Sequence, residues 1–218
     1  MDQEDQKKAV AKAVLEYIPE NSIIGVGTGS TVNYFIENLA TLKHQIEGTV
    51  ASSLATEARL KALGIPVFDL NTVPAPVLYI DSADHYNALR QLVKGKGGAF
   101  TREKILAAAS QQFICIVDES KETAVFGESP IPVEVIPMAR SFVGREIVKL
   151  NGDPVYRIHT LTDNGNIILD VHNWSITEPI KLEKALNNIS GVVANGLFAD
   201  NPATLLLIGT KAGIKKIS

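Results

Sequence analysis

Residues 22–42 read SIIGVGTGSTVNYFIENLATL, an apolar run, a glycine-rich turn and a helical stripe in direct succession. Ser22–Val26 has the length and content of a buried strand, and Val32, Phe35, Ile36 and Leu39 recur at helical spacing within Thr31–Leu42. The alternation continues on both sides. Ala9, Val10, Ala13, Val14 and Tyr17 share one face of a helix over Gln3–Tyr17, which Pro19 and Asn21 end. Further strands are expected at Val50–Ser52, Val67–Leu70, Val77–Ile80 and Phe113–Val117, with a helix at Thr56–Leu63 stopped by Gly64. Strands separated by helices need crossover connections, so the fold class is α/β, with a Rossmann-like, largely parallel main sheet.

The pattern changes near residue 130. Ser129-Pro130-Ile131-Pro132 is a break, after which Val133–Ile136 reads as a strand and Met138–Leu150 as a helix. Asp163-Asn164-Gly165 separates the apolar runs Tyr156–Leu161 and Ile167–Val171, a hairpin signal because Asn and Gly tolerate positive φ. Ile180–Ile189 is the next helix and Gly191–Phe198 the next strand. The order βαββαβ predicts a small α+β, ferredoxin-like domain at 128–200, inserted into a main domain of 1–127 plus 201–218. Leu205–Ile208 is expected to rejoin the main sheet.

Composition narrows the function classes. The 218 residues carry 21 Lys+Arg against 24 Asp+Glu, a formal charge of −3, which leaves no basic excess for nucleic acid. The longest apolar runs fall far short of the ~18 residues that span a bilayer. Met1–Lys8 (MDQEDQKK) does not resemble a signal peptide, and one cysteine makes no internal disulfide. A cytoplasmic protein that binds neither membrane nor nucleic acid is expected.

Ligands of a parallel sheet bind beyond the carboxyl ends of its strands. Three such ends are polar: Gly25–Thr31 (GVGTGST), Asp81–Asp84 (DSAD) and Asp118–Lys121 (DESK). A dinucleotide fingerprint starting at Gly25 needs Gly or Ala at 30, where Ser30 stands, and an acidic residue after the second strand, where Ser52-Ser53 stands. That argues against a nicotinamide enzyme. No Gly-Lys-Ser/Thr marks a nucleotide P-loop. Thr28, Gly29, Ser30 and Thr31 at a helix start suit a phosphate monoester, or form an ordinary strand–helix turn. Asp81 and Asp84 can share a site, hold a metal or cap a helix. His44, His159 and His172 lie in unrelated segments, so no ligand cluster assembles around His85 and no metal site is expected. In Lys94-Gly95-Lys96-Gly97-Gly98 the glycines allow close backbone approach beside a cation, or make a solvated turn. Glu103 opens the helix Thr101–Ala109, a position that suits simple capping. Cys115, Tyr156 and Trp174 read as packing residues.

Four of these segments together, GVGTGST (25–31), DSAD (81–84), KGKGGAFTRE (94–103) and VEVIPMAR (133–140), resemble the A-type ribose-5-phosphate isomerases. TDNGNIILDV (162–171) and GVVANGLF (191–198) extend the resemblance over essentially the whole chain. It implies cofactor-free interconversion of ribose 5-phosphate and ribulose 5-phosphate through an enediol, in the pentose phosphate pathway, by a homodimer or tetramer. By the same resemblance Glu103 is the base that moves the proton between C1 and C2. Asp81 and Asp84 handle hydroxyl protons and ring opening, and Lys94 stabilises the enediolate. Thr28–Thr31, Ser82, Ala83, Gly95, Lys96 and Gly97 bind substrate, with Lys121 and Lys7 near the anionic end. The chain departs from the family's DGADE and KGGG at Ser82, His85 and Lys96. If position 82 requires positive φ, Ser82 carries a strain of about 1 kcal/mol. A sugar-phosphate sensor without turnover is the competing reading; Glu103 and Lys94 together favour an enzyme.

Overall fold

Short apolar runs become strands and the amphipathic stretches between them helices in the computed structural model, which describes residues Met1–Ser218. In chain order these are α1 (Gln3–Ala13), β1 (Ile23–Val26), α2 (Ser30–Leu39), β2 (Gly48–Ala51), α3 (Leu54–Ala62), β3 (Leu78–Asp81), β4 (His85–Tyr86) and β5 (Leu92–Val93). Then follow α4 (Phe100–Ala109), β6 (Phe113–Asp118), β7 (Ile131–Val135), α5 (Arg140–Lys149), β8 (Asp153–Tyr156), β9 (Ile167–His172), α6 (Pro179–Asn187), β10 (Val192–Asn195), β11 (Leu197–Phe198), β12 (Leu205–Thr210) and β13 (Gly213–Ile217). They form two compact units, one of Met1–Ala83, Arg102–Lys121 and Ala203–Ser218, the other of Asp84–Thr101 and Glu122–Pro202. The second unit exceeds the span 128–200 because residues 84–101 go with it: β5 pairs antiparallel with both β4 and β11 in a three-stranded sheet.

The first unit is built on a six-stranded sheet of order β13-β12-β6-β3-β1-β2, parallel except for β13. From β1 the chain adds β2 on one side and β3 on the other. The carboxyl ends of β1 and β3 therefore flank a topological switch point, where open α/β sheets leave a crevice. Ile24, Val26, Ile80, Ile114 and Ile116 bury with Val10 of α1, Val14 just after it, and Val32, Phe35 and Ile36 of α2. Each such side chain contributes about 1.5–3 kcal/mol relative to exposure. The helices expected to run to Tyr17 and Leu42 tighten into 3-10 turns at Val14–Tyr17 and Ala40–Leu42. Val67–Leu70 is not a strand: Val67 forms a single bridge to Thr49, and a 3-10 turn begins at Leu70. β12 rejoins the sheet beside β6 as expected. β13 escaped notice because GIKKI is polar at Lys215 and Lys216, as suits an exposed edge strand.

In the second unit β7, α5, β8, β9, α6 and β10 follow in the expected βαββαβ order and give an antiparallel sheet of order β10-β7-β9-β8. Val133, Val135, Leu169 and Val171 bury with Val143 and Ile147 of α5 and Leu186 of α6. The run Tyr156–Leu161 is a strand only at its first residue, since Arg157 to Asn166 form a long loop. Gly165 (φ 78°) takes the positive-φ position there and Asn164 does not, so this is not a two-residue hairpin turn. The run Gly191–Phe198 splits at Gly196, where a Cβ would stand 2.3 Å from the Lys94 carbonyl oxygen, and its halves join different sheets. No helix of the chain is long and apolar enough to cross a membrane.

Candidate active site

In the first unit, β1 and β3 run parallel with Gly25 opposite Tyr79 and Val26 opposite Ile80. Side chains two apart share a face, so Tyr79 and Asp81 lie over Gly25 and Gly27. A Cβ on Gly25 would stand 2.8 Å from Tyr79 Cδ2, and one on Gly27 only 1.9 Å from Asp81 Oδ1. These glycines make room for the side chains of Tyr79 and Asp81 at the switch point, a role that the strand–turn–helix pattern of 25–31 does not reveal.

Asp81 is fully buried. Its Oδ1 accepts from the backbone N–H groups of Thr28 (3.0 Å) and Ser82 (2.7 Å), and Oδ2 accepts from the Tyr79 hydroxyl. Burial pushes the Tyr79 phenol well above the ordinary tyrosine range, and the nearby carboxylates of Asp81 and Glu103 push it further. Tyr79 therefore remains a neutral donor. Glu103, in the first turn of α4, is 3% exposed. The unit thus brings Asp81 and Glu103 into one buried acidic neighbourhood around Tyr79. The strain expected of Ser82 is absent, because position 82 has ordinary φ and its hydroxyl donates to the Thr28 carbonyl at 3.1 Å.

Thr28, Gly29, Ser30 and Thr31 lead into α2. Gly29 (φ 117°) occupies the N-cap and no side chain caps the terminus, so the hydroxyls here are not spent on capping. Thr31 is buried, while Ser30 and Gly29 are exposed. α1, which carries Lys7, is tied to the turn carrying Lys121: Gln3 Nε2 donates to Asp118 Oδ1 and Ser120 Oγ, and Gln6 Nε2 to Glu119 Oε1 at 2.7 Å. Lys7 itself lies 3.4 Å from Glu4. Cys115 is buried within β6.

In the second unit, Lys94, Gly95, Lys96 and Gly97 form a tight turn. Gly95 (φ 116°) and Gly98 (φ 77°) need glycine, and a Cβ on Gly95 would strike Pro132 and Phe100. Lys94 is 3% exposed, with Nζ 5.6 Å from the centre of the Phe198 ring. Asp84 Oδ2 accepts from the Lys96 backbone N–H at 3.0 Å. Lys96 has ordinary φ and an exposed side chain, so this departure from the glycine pattern does not distort the turn. His85, the third departure, has Nε2 2.8 Å from Ser129 Oγ. Tyr156 and Trp174 pack against the core of this unit, and Trp174 Nε1 donates to the Leu150 carbonyl.

Two sets of residues were missed. Tyr79 reads in sequence as core, and only the two-residue spacing of Gly25 and Gly27 opposite it hints otherwise. The motif TDNGN serves a buried carboxylate: Thr162, Asn164 and Asn166 all donate to Glu134 Oε1, at 2.8, 3.2 and 2.8 Å, and Thr101 to its Oε2.

Residues 48–213 match the family profile described as ribose 5-phosphate isomerase A (phosphoriboisomerase A). The crystal structure of ribose 5-phosphate isomerase A from Neisseria gonorrhoeae is 44% identical, with a TM-score of 0.96 over 99% of this chain and 96% of that one. Ribose 5-phosphate isomerase A from Methanocaldococcus jannaschii is 36% identical with a TM-score of 0.94, each chain covered completely. A D-ribose-5-phosphate isomerase in complex with phospho-erythronic acid is 35% identical, again with a TM-score of 0.94 and complete coverage of both. With a family match over most of its length and three such structural relatives, this chain belongs to the ribose 5-phosphate isomerase A family.

Proposed function

We propose that the chain interconverts ribose 5-phosphate and ribulose 5-phosphate through an enediol, a step of the pentose phosphate pathway. The observation that carries this reading is the pair of buried carboxylates, Asp81 and Glu103, gathered around Tyr79 beside the switch point in a chain of this family. Glu103 takes the proton from C2 of the open-chain aldose and returns it to C1. A positioned base of this kind is worth about 10²–10⁴-fold in rate. Asp81 and Asp84 move the hydroxyl protons and open the sugar ring, and Lys94 faces the charge that develops on the enediolate oxygen. Burial strengthens that last interaction, since a lysine shielded from water is poorly screened. Thr28, Gly29, Ser30, Thr31, Ser82, Ala83, Gly95, Lys96 and Gly97 bind substrate, with Lys121 and Lys7 toward the phosphate. Phospho-erythronic acid, held by one relative, supports this charge pattern: a planar carboxylate, a hydroxylated chain and a phosphate mimic an enediolate phosphate.

The same reading makes the protein cytoplasmic and a dimer or tetramer. The oligomer is supported by exposed apolar side chains on the second unit, Met138 at 98% and Leu161 at 68%. Light scattering of the purified protein tests it.

Proton NMR of ribose 5-phosphate with the protein, in deuterated buffer containing EDTA, tests the reaction. Ribulose 5-phosphate should form with deuterium at the exchanged carbon, and Glu103→Gln should abolish both signals while still binding substrate. Binding without turnover or exchange in the wild type would move the sensor reading ahead.

A further inference from the structure

The peptide between Gly95 and Lys96 is gripped from both sides. Arg157 Nη1 donates to the carbonyl of Gly95 at 3.2 Å and to that of Lys96 at 3.3 Å. The N–H of the same Gly95–Lys96 peptide donates to Asp84 Oδ2 at 3.0 Å. In a trans peptide the C=O and N–H point to opposite sides. A guanidinium therefore holds one end of a single peptide dipole and a carboxylate the other. A cation at the oxygen makes the N–H a better donor, so each contact strengthens the other.

Arg157 is itself oriented. Its Nε donates to Asp170 Oδ2 at 2.7 Å and its Nη2 to Asp170 Oδ1 at 2.5 Å, a bidentate fork. The two side chains are 20% and 18% exposed. Two parallel bonds fix the plane of the guanidinium, and that plane leaves Nη1 facing the turn. Gly95 supports the arrangement with its positive φ, and its carbonyl also closes the turn by accepting from the Gly98 N–H at 3.0 Å.

We infer that Arg157 is a positioning residue: through the Gly95–Lys96 peptide it sets the orientation of the Asp84 carboxylate and the path of the Lys94–Gly97 turn, with Asp170 orienting it. The inference rests on the roles proposed above for Asp84 and this turn. A simple ion pair between β9 and the residue after β8 would act on stability alone. The clamp acts on turnover.

The test compares wild type, Arg157→Ala, Arg157→Lys and Asp170→Asn by steady-state kinetics on ribose 5-phosphate and by amide hydrogen exchange at Lys96, read by NMR. Arg157→Ala should lower kcat by at least about tenfold, with a smaller change in KM, because misplacing a reacting group by an ångström costs rate on that scale or more. Arg157→Lys should stay near the alanine variant, since an ammonium cannot hold Asp170 bidentately and span two carbonyls. Millimolar guanidinium should restore part of the rate to Arg157→Ala and none to wild type. The Lys96 amide should be protected in wild type and exposed in Arg157→Ala. A folded Arg157→Ala with kcat within about twofold of wild type would overturn the inference. So would a Lys96 amide that stays protected in that variant. Should Arg157→Ala not fold, Asp170→Asn, which keeps the guanidinium, decides by the same two readouts with a smaller loss. A wild type that does not isomerise ribose 5-phosphate refutes the proposed reaction, and the Lys96 amide then decides the clamp by itself.

Discussion

Asp81 and Glu134 are both fully buried carboxylates, one in each unit, and each is held by neutral donors. Their places in the sheets differ. Asp81 stands at the carboxyl end of β3, beside the switch point, with Glu103 close enough to act on the same tyrosine. Glu134 stands inside β7, where it pairs with Ile168 and collects the hydroxyl and amide groups of the 162–166 turn. Burial and hydrogen bonding alone do not distinguish a carboxylate proposed to react from one that holds a turn. Position in the strand separates the two, because ligands of such sheets enter the crevice at the strand ends.

The sharpest way to break this comparison is to make the same near-isosteric change at both residues. Asp81→Asn should lower kcat on ribose 5-phosphate by about 10² or more, with a melting temperature close to that of wild type. Equal losses of activity at Asp81 and Glu134 would erase the distinction. Gly27→Ala comes next. Its Cβ meets Asp81 Oδ1 at 1.9 Å and Asp81 is pinned on both oxygens, so the backbone must shift. We expect about 1–3 kcal/mol of destabilisation in denaturant titrations, together with lost activity. Alanine at 27 with wild-type stability would show that Asp81 is free to move.

Tyr79→Phe sharpens the electrostatics. The tyrosine pKa is raised in the folded protein above its ordinary value of 10.0, so the unfolded chain releases this proton at lower pH than the folded one. Its contribution to stability is complete below pH 10.0 and declines as pH rises through the folded value. Melting temperature should therefore fall more steeply as pH rises above 10.0 in wild type than in Tyr79→Phe, and parallel curves would contradict the burial argument. The smallest effect is expected at Glu134→Gln. The amide oxygen keeps the three donors on Oε1 and the new N–H₂ donates to the Thr101 hydroxyl, so activity should stay within about threefold. A large kinetic loss there would make Glu134 part of the reaction.

Hydropathy periodicity in the sequence located most helices and strands, because burying a strand or a helix face requires a repeat that survives in the linear order of residues. It overextended two stretches, Val67–Leu70 and Tyr156–Leu161, since an apolar run does not state whether a neighbouring strand offers its hydrogen bonds. Strands with two residues, such as β4, β5 and β11, carry no period at all. Among the proposed site residues, the sequence by itself singled out the ones that stand in local motifs resembling the family's: the glycine–hydroxyl loop 25–31, the aspartates 81 and 84, the turn 94–97 and Glu103. Only the tertiary structure decided that Gly25 and Gly27 clear space for Tyr79 and Asp81. It alone showed that TDNGN serves Glu134 and that Arg157 reaches across to the turn at 95–96. These are contacts between segments tens of residues apart, set by strand register and by the reach of long side chains, and neither quantity is written in the local order of residues.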